Sequence, residues 1–261
     1  MKSLSNKIIL VTKSKEESKN SLRMLSDAGA EIIYFPTIKI VHSYKNLDLD
    51  ELMSNPHQYE YIIFTSANAV QVFSEMLNEY KFDLSKTKIA VVGEATAAAC
   101  RSHGIYIHII PEEYSAKGLI KKFTEIGIDG KKILIPGSAL SREELKIGLT
   151  QLGAEVTSLP IYDVVMNDLN ELKIEYEKII NQKPDVFVFT SPSSFENYLK
   201  LLNIDNPEVY FLNKIICAIG PTTEFEIRSY GITVNIVPKI YTLEGISEAI
   251  VEFFKATENM A

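Results

Sequence analysis

Thr65-Ser66 returns about 125 positions later as Thr190-Ser191, and Gly29-Ala30-Glu31 returns as Gly153-Ala154-Glu155. Gly93-Glu94-Ala95-Thr96 likewise returns as Gly220-Pro221-Thr222-Thr223. A 261-residue chain that repeats at roughly half its length is expected to fold as two similar halves, each long enough for its own core. In both halves an apolar run precedes small hydroxyl and glycine residues, and a helix pattern follows. Two matched edges of this kind suggest two lobes holding one ligand between them.

The apolar runs are short and continuous, as in strands covered on both faces. Lys7 to Thr12 opens the first unit, and Ser14 is placed to cap a helix whose apolar positions include Leu22, Leu25 and Ala28. Gly29 ends that helix, and Glu31 to Phe35 reads as the next strand. The second unit opens alike, with strand Lys132 to Pro136, helix Arg142 to Leu152, Gly153 and strand Glu155 to Leu159. Tyr61 to Phe64 leads into a helix from Ala67, and Val186 to Phe189 into one from Ser193. Ile89 to Val92 and Ile215 to Ile219 form a further pair, with helices ending near Gly104 and Gly231. Pro111 to Ser115 and Pro238 to Thr242 each open a last helix. Alternating strands and helices imply an α/β protein of two doubly wound, flavodoxin-like parallel-sheet lobes. Thr37 to His42 and Ile161 to Val165 each follow a proline and suit a two-stranded connection between lobes. Periodicity leaves open whether each repeat is one lobe or the chain crosses over twice.

Several function classes lose ground on composition. A net charge of −7 disfavours a broad nucleic-acid face, and an anionic ligand would need local donors to overcome the overall field. Cys100 and Cys217, read as lying at matching places in the repeat, have no metal-type spacing and are expected to be reduced thiols. No membrane span or secretion signal is read, so a cytoplasmic protein is expected. The four histidines show no ligand spacing and are assigned to surface or edge positions, and the Glu16-Glu17, Glu112-Glu113 and Glu143-Glu144 pairs to solvated helix starts. Neither a dinucleotide fingerprint nor a Walker loop is present.

What remains is the strand ends. Thr65-Ser66 and Thr190-Ser191 stand where open parallel sheets bind ligands, at helix starts suited to anions. Ordinary N-capping explains the same residues, and the two readings are evenly balanced. Gly93 and Gly220 allow close backbone approach, with Thr96, Thr222 and Thr223 in the first helical turn. Tyr162 can reach a ligand from the connecting strand, although a packed strand tyrosine is the simpler reading.

Taken in order and spacing, these blocks resemble the uroporphyrinogen-III synthase family. The resemblance rests on Ile9 to Thr12, Phe64 to Val70, Val92 to Thr96, Ile161-Tyr162-Asp163, Phe189 to Ser193 and Ala218 to Thr223. It implies two crossings between lobes. Lobe 1 would be 1–36 with 167–261 and lobe 2 would be 43–159, with 37–42 and 160–166 as connector. It also implies conversion of hydroxymethylbilane, a linear tetrapyrrole polycarboxylate, to uroporphyrinogen III, with loss of water and inversion of the last ring. No cofactor or metal is implied, and a monomer without nucleic-acid or membrane partners is expected. Tyr162 matches the family's tyrosine that helps the hydroxyl depart. Thr65, Ser66, Thr96, Ser191 and Thr223 match its cleft positions, and Arg142 a basic one. Lys13 stands where members often carry arginine, keeping the charge without the forked geometry. Ser115, Ser138, Ser193 and Thr222 are counted with the substrate contacts. A rival is a non-catalytic bilobed binding protein for a polyanion. A pair of receiver-like domains would need an acidic cluster where Thr12-Lys13 and Thr65-Ser66 stand.

Overall fold

Most strands are covered on both faces and therefore read as unbroken apolar runs, whereas Glu31–Tyr34, Ile38–His42 and Glu155–Met166 keep exposed positions. The computed structural model describes residues 3–44, 58–80, 84–139 and 143–258. The chain starts with β1 (Ile8–Val11), short helices α1 (Lys15–Ser18) and α2 (Arg23–Asp27), then β2 (Glu31–Tyr34) and β3 (Ile38–His42). There follow β4 (Tyr61–Phe64), α3 (Ala67–Tyr80), β5 (Lys88–Val91), α4 (Glu94–Ser102) and α5 (Ala116–Ile126). Next come β6 (Lys132–Ser138), α6 (Glu144–Gln151), β7 (Glu155–Met166) and α7 (Lys173–Gln182). The chain continues with β8 (Val186–Phe189), α8 (Pro192–Leu201), α9 (Pro207–Tyr210), β9 (Ile215–Ala218), α10 (Pro221–Ser229) and α11 (Leu243–Glu258). No helix among the described residues is long and apolar enough to cross a membrane.

The chain divides into two compact units, Met1–Lys39 with Val165–Ala261, and Ile40–Val164. In the first, parallel strands lie in the order β2-β1-β8-β9. Their alternation sends Leu10, Phe187 and Phe189 into one core with Phe195, Tyr198 and Phe211. Ile9, Val11 and Val188 enter another core with Ile246 and Ile250 of α11. Each fully buried Phe or Leu contributes about 2–3 kcal/mol, so the two apolar layers hold the sheet from both sides.

The second sheet has the order β3-β7-β6-β4-β5, with β7, β6, β4 and β5 parallel in turn. Ile62 and Phe64 face α3 through Val70 and Phe73, whereas Ile63 and Ile133 face α5 through Leu119 and Phe123. The two units share local devices. Isolated parallel bridges join Ala90 to Ile109 and Cys217 to Ile236. A side chain then seals each edge: His108 Nδ1 accepts the Ile89 N–H at 3.0 Å, and Asn235 Oδ1 accepts that of Ile216 at 2.8 Å.

Three sequence expectations need correction. The helix expected after Ser14 is broken into α1 and α2. Ser14 does cap α1, but Ser18, Asn20 and Ser21 are weak helix formers, and the Ser247 hydroxyl donates to the Ser21 carbonyl at 2.9 Å. The segments 155–159 and 161–165, expected as separate strands, form the single 12-residue β7 running through Pro160. β6 is long enough to accompany it, and a register shift between Gly137 and Ser138 accommodates the residue that cannot donate. Cys100 lies on α4 and Cys217 on β9, so they do not occupy matching places. Both are buried, and burial pushes their thiols up, to about 11 and about 12 respectively.

Candidate functional site at the carboxyl edge of the second sheet

In the second unit, α6 leaves β6 towards β7 while α3 leaves β4 towards β5, although β6 and β4 are neighbours. Connections that part in this way open a crevice beyond the strand ends. A cavity of about 820 Å³ lies at these ends. Its walls come from Thr65 and Ser66 after β4, Val92 after β5, Ile135 and Ser138 of β6, and Ser158 to Pro160 with Tyr162 of β7. The starts of α5, with Tyr114, Ser115 and Lys117, and of α6, with Glu143, Glu144 and Lys146, close it.

The continuation of β7 past Pro160 places Tyr162 opposite Ser138 in register. Tyr162 is 5% exposed, and its hydroxyl lies 3.0 Å from Ser66 Oγ. Ser66 Oγ also accepts the Ala69 N–H at 3.1 Å, capping α3. That oxygen is thereby engaged as an acceptor, which leaves the serine proton free to point at the tyrosine oxygen. Ser115 caps α5, accepting from Gly118 N at 3.0 Å and donating to Glu113 Oε1 at 2.8 Å. The starts of α3, α5 and α6 therefore border the cavity with the positive ends of their dipoles. Among the described residues, neither Lys117 nor Lys146 has an ion-pair partner, so both cations are available to an anionic ligand. No group of three or more His, Cys, Asp or Glu among the described residues could hold a metal.

The family model described as uroporphyrinogen-III synthase HemD matches residues 20–248. This chain belongs to the uroporphyrinogen-III synthase family. A putative uroporphyrinogen-III synthase of Methanocaldococcus jannaschii is 32% identical over 244 residues, covering 93% of this chain and 97% of its own. The uroporphyrinogen-III synthase of Chlorobaculum parvum is 28% identical over 255 residues, covering 95% of this chain and all of its own. The crystal structure of the Helicobacter pylori uroporphyrinogen-III synthetase shares the fold. Its TM-score is 0.62 at 18% identity, over 95% of this chain and 99% of that one. The resemblance carried by the repeated blocks is thus borne out.

Within this synthase-family chain, Thr65, Ser66, Ser115, Ser138 and Tyr162 line one cavity. Thr96, on the first turn of α4, is 6% exposed and is not part of that lining. The remaining described candidates belong to the first unit. Lys13 pairs with Glu17 at 3.6 Å. Ser191 forms a capping box with Ser194 on α8, and Ser193 Oγ lies 3.1 Å from its hydroxyl. Thr223 is buried on α10 beside the exposed Thr222. Arg142 lies outside the described residues, as does His57. Capping thus accounts for both Ser66 and Ser191, and only Ser66 adds a bond to the tyrosine.

Reading residues one by one missed Tyr114, Lys117 and Lys146; Glu143 and Glu144 are exposed, as expected, and also line the cavity. For Tyr114 the signal was present, since the block Pro111 to Ser115 returns as Pro238 to Thr242. His42 also has partners: its Nε2 lies 3.4 Å from a Glu75 carboxylate oxygen and its ring stacks on Tyr44.

Proposed function

We propose that this chain closes hydroxymethylbilane into uroporphyrinogen III, inverting the last pyrrole ring and releasing water, in haem-type tetrapyrrole biosynthesis. It is then a cyclising hydro-lyase that needs no cofactor and works as a cytoplasmic monomer. The observation that carries the reading is the Tyr162–Ser66 hydroxyl pair in a cavity edged by three helix starts. The volume falls in the range of small-molecule sites. The starts of α3, α5 and α6, with Lys117 and Lys146, supply donors for the acetate and propionate groups.

In this reading the pyrrole nitrogen lone pair expels the hydroxyl of the hydroxymethyl group, and Tyr162 gives that oxygen a proton so that it leaves as water. The Ser66 proton supports the tyrosine oxygen while it is anionic. The exocyclic carbon, now electrophilic, is attacked by the substituted carbon of the last ring to give a spiro intermediate. The spiro carbon's bond to its original methylene bridge then breaks. The freed electrophilic bridge is attacked by the unsubstituted α carbon of the same ring, which inverts it, and the proton lost from that carbon on rearomatisation returns to Tyr162. The remaining work is to hold a flexible chain so that one ring closure outruns the other. Thr96, and on the first unit Lys13, Ser191, Ser193, Thr222 and Thr223, are assigned as further contacts by family position.

We read the units as two flavodoxin-like lobes, 1–36 with 167–261 and 43–159, with 37–42 and 160–166 as a two-stranded connector. The strand orders of the two sheets and the division of the chain at 39/40 and 164/165 support this reading. The deciding experiment supplies purified protein with fresh hydroxymethylbilane and separates the oxidised products by isomer. Isomer III is expected. Isomer I alone, the product that forms without catalysis, would leave the rival reading of a non-catalytic polyanion-binding protein.

A further inference from the structure

We infer that Tyr114 presents an aromatic platform on which one pyrrole ring of the substrate rests during closure. The inference builds on the proposed reaction and assigns a positioning role outside the hydroxyl pair. Tyr114 lines the same cavity, yet it is 60% exposed, an unusual state for a large aromatic at a cavity wall. Its backbone is anchored just ahead of the capped start of α5, where Ser115 N donates to the Glu113 carbonyl at 2.7 Å.

The ring is aimed by a close approach. A Cβ built on Gly93 would lie 3.2 Å from Tyr114 Cβ and 3.5 Å from its Cγ. Gly93 is extended, with φ −165°, so the backbone angle does not call for glycine here. The space favours it: a Cβ there would be tighter than ordinary contact, so the tyrosine would have to shift by a few tenths of an ångström. The first unit repeats the device, with Tyr241 at 58% exposure and its Cγ 3.3 Å from a Cβ built on Gly220. Two glycines, each just after a strand, thus lie bare under two exposed tyrosines and let each ring approach the backbone closely without being buried. The helix starts and lysines of the cavity suit the carboxylates of a linear tetrapyrrole, and Val92, Ile135, Leu159 and Pro160 give it an apolar wall to which Tyr114 adds an exposed ring. A phenol face suits a pyrrole ring, since aromatic pairs favour offset or edge contacts with a defined geometry.

The test compares Tyr114→Ala, Tyr114→Phe and Gly93→Ala in steady-state kinetics and isomer ratio. Tyr114→Ala should raise KM roughly 2- to 10-fold and leak isomer I, with the melting temperature unchanged because the ring is exposed. Tyr114→Phe keeps the face and should behave as the parent. Gly93→Ala should mimic Tyr114→Ala, and the double variant should be no worse than either alone. If the parent makes isomer III and Tyr114→Ala leaves KM and isomer ratio unchanged, the platform is refuted. Loss of function in Tyr114→Phe equal to that in Tyr114→Ala would refute it too, by pointing to the hydroxyl. A parent that makes only isomer I refutes the proposed reaction, a result separable from either outcome above.

Discussion

The Tyr162 hydroxyl sits 3.0 Å from Ser66 Oγ across 96 residues of chain, and the same serine oxygen caps α3. A helix cap and the hydroxyl of a buried tyrosine are therefore tied to one atom. Any movement of the α3 start moves the tyrosine's partner with it.

Tyr162→Phe removes one hydroxyl and leaves the ring in its buried place. We expect kcat to fall by about 10²-fold, with a stability change of about 1 kcal/mol or less. Kinetics with hydroxymethylbilane and a urea titration check both. Unchanged kcat would make Tyr162 a packing residue.

Ser66→Ala and Ser191→Ala separate capping from chemistry. Each should cost about 1 kcal/mol of stability through its lost cap. Only Ser66→Ala should also lower kcat, because only Ser66 meets Tyr162. Equal kinetic defects in the two variants would contradict this.

Gly118→Ala would bring a methyl group within 2.1 Å of the Glu113 carbonyl oxygen, and Gly245→Ala within 2.2 Å of that of Ile240. Backbone must move in both cases, so we expect each to lose about 1–3 kcal/mol. Gly118→Ala should in addition raise KM, because the displaced loop carries Tyr114 and Ser115. Parallel melting and kinetic measurements test the difference.

Burial, followed by the Glu79 carboxylate that accepts its hydrogen bond, holds the Tyr44 hydroxyl up at about 12. An unfolded tyrosine ionises near 10, so the native state keeps this proton longer. The stabilisation is complete below pH 10 and is lost as pH rises from 10 towards 12. Tyr44→Phe should therefore lose stability less steeply over that window, as read from urea midpoints at successive pH values. The two thiols, raised to about 11 and about 12, should resist Ellman's reagent at pH 8 until the protein unfolds.

Strands and caps were legible in the sequence because their causes are local. A run such as Val186 to Phe189 is apolar because both faces are buried, and Ser14, Ser66, Ser115 and Ser191 bond within three residues of themselves. The repeated blocks likewise carried the family and the strand ends where a ligand would bind. What one residue does at those ends was not legible, because it depends on neighbours far along the chain. Ser66 and Ser191 read alike, but Tyr162 reaches only the first, since β7 runs on through Pro160 and bulges there beside the end of β6. Thr96 and Thr223 read as open hydroxyls, and helix packing buries them. Glu143 and Glu144 read as solvated and are exposed, and the crevice between diverging connections also makes them cavity walls. Periodicity along the chain thus determined which segments become strands and helices. The register between strands, a long-range property, decided which side chains meet.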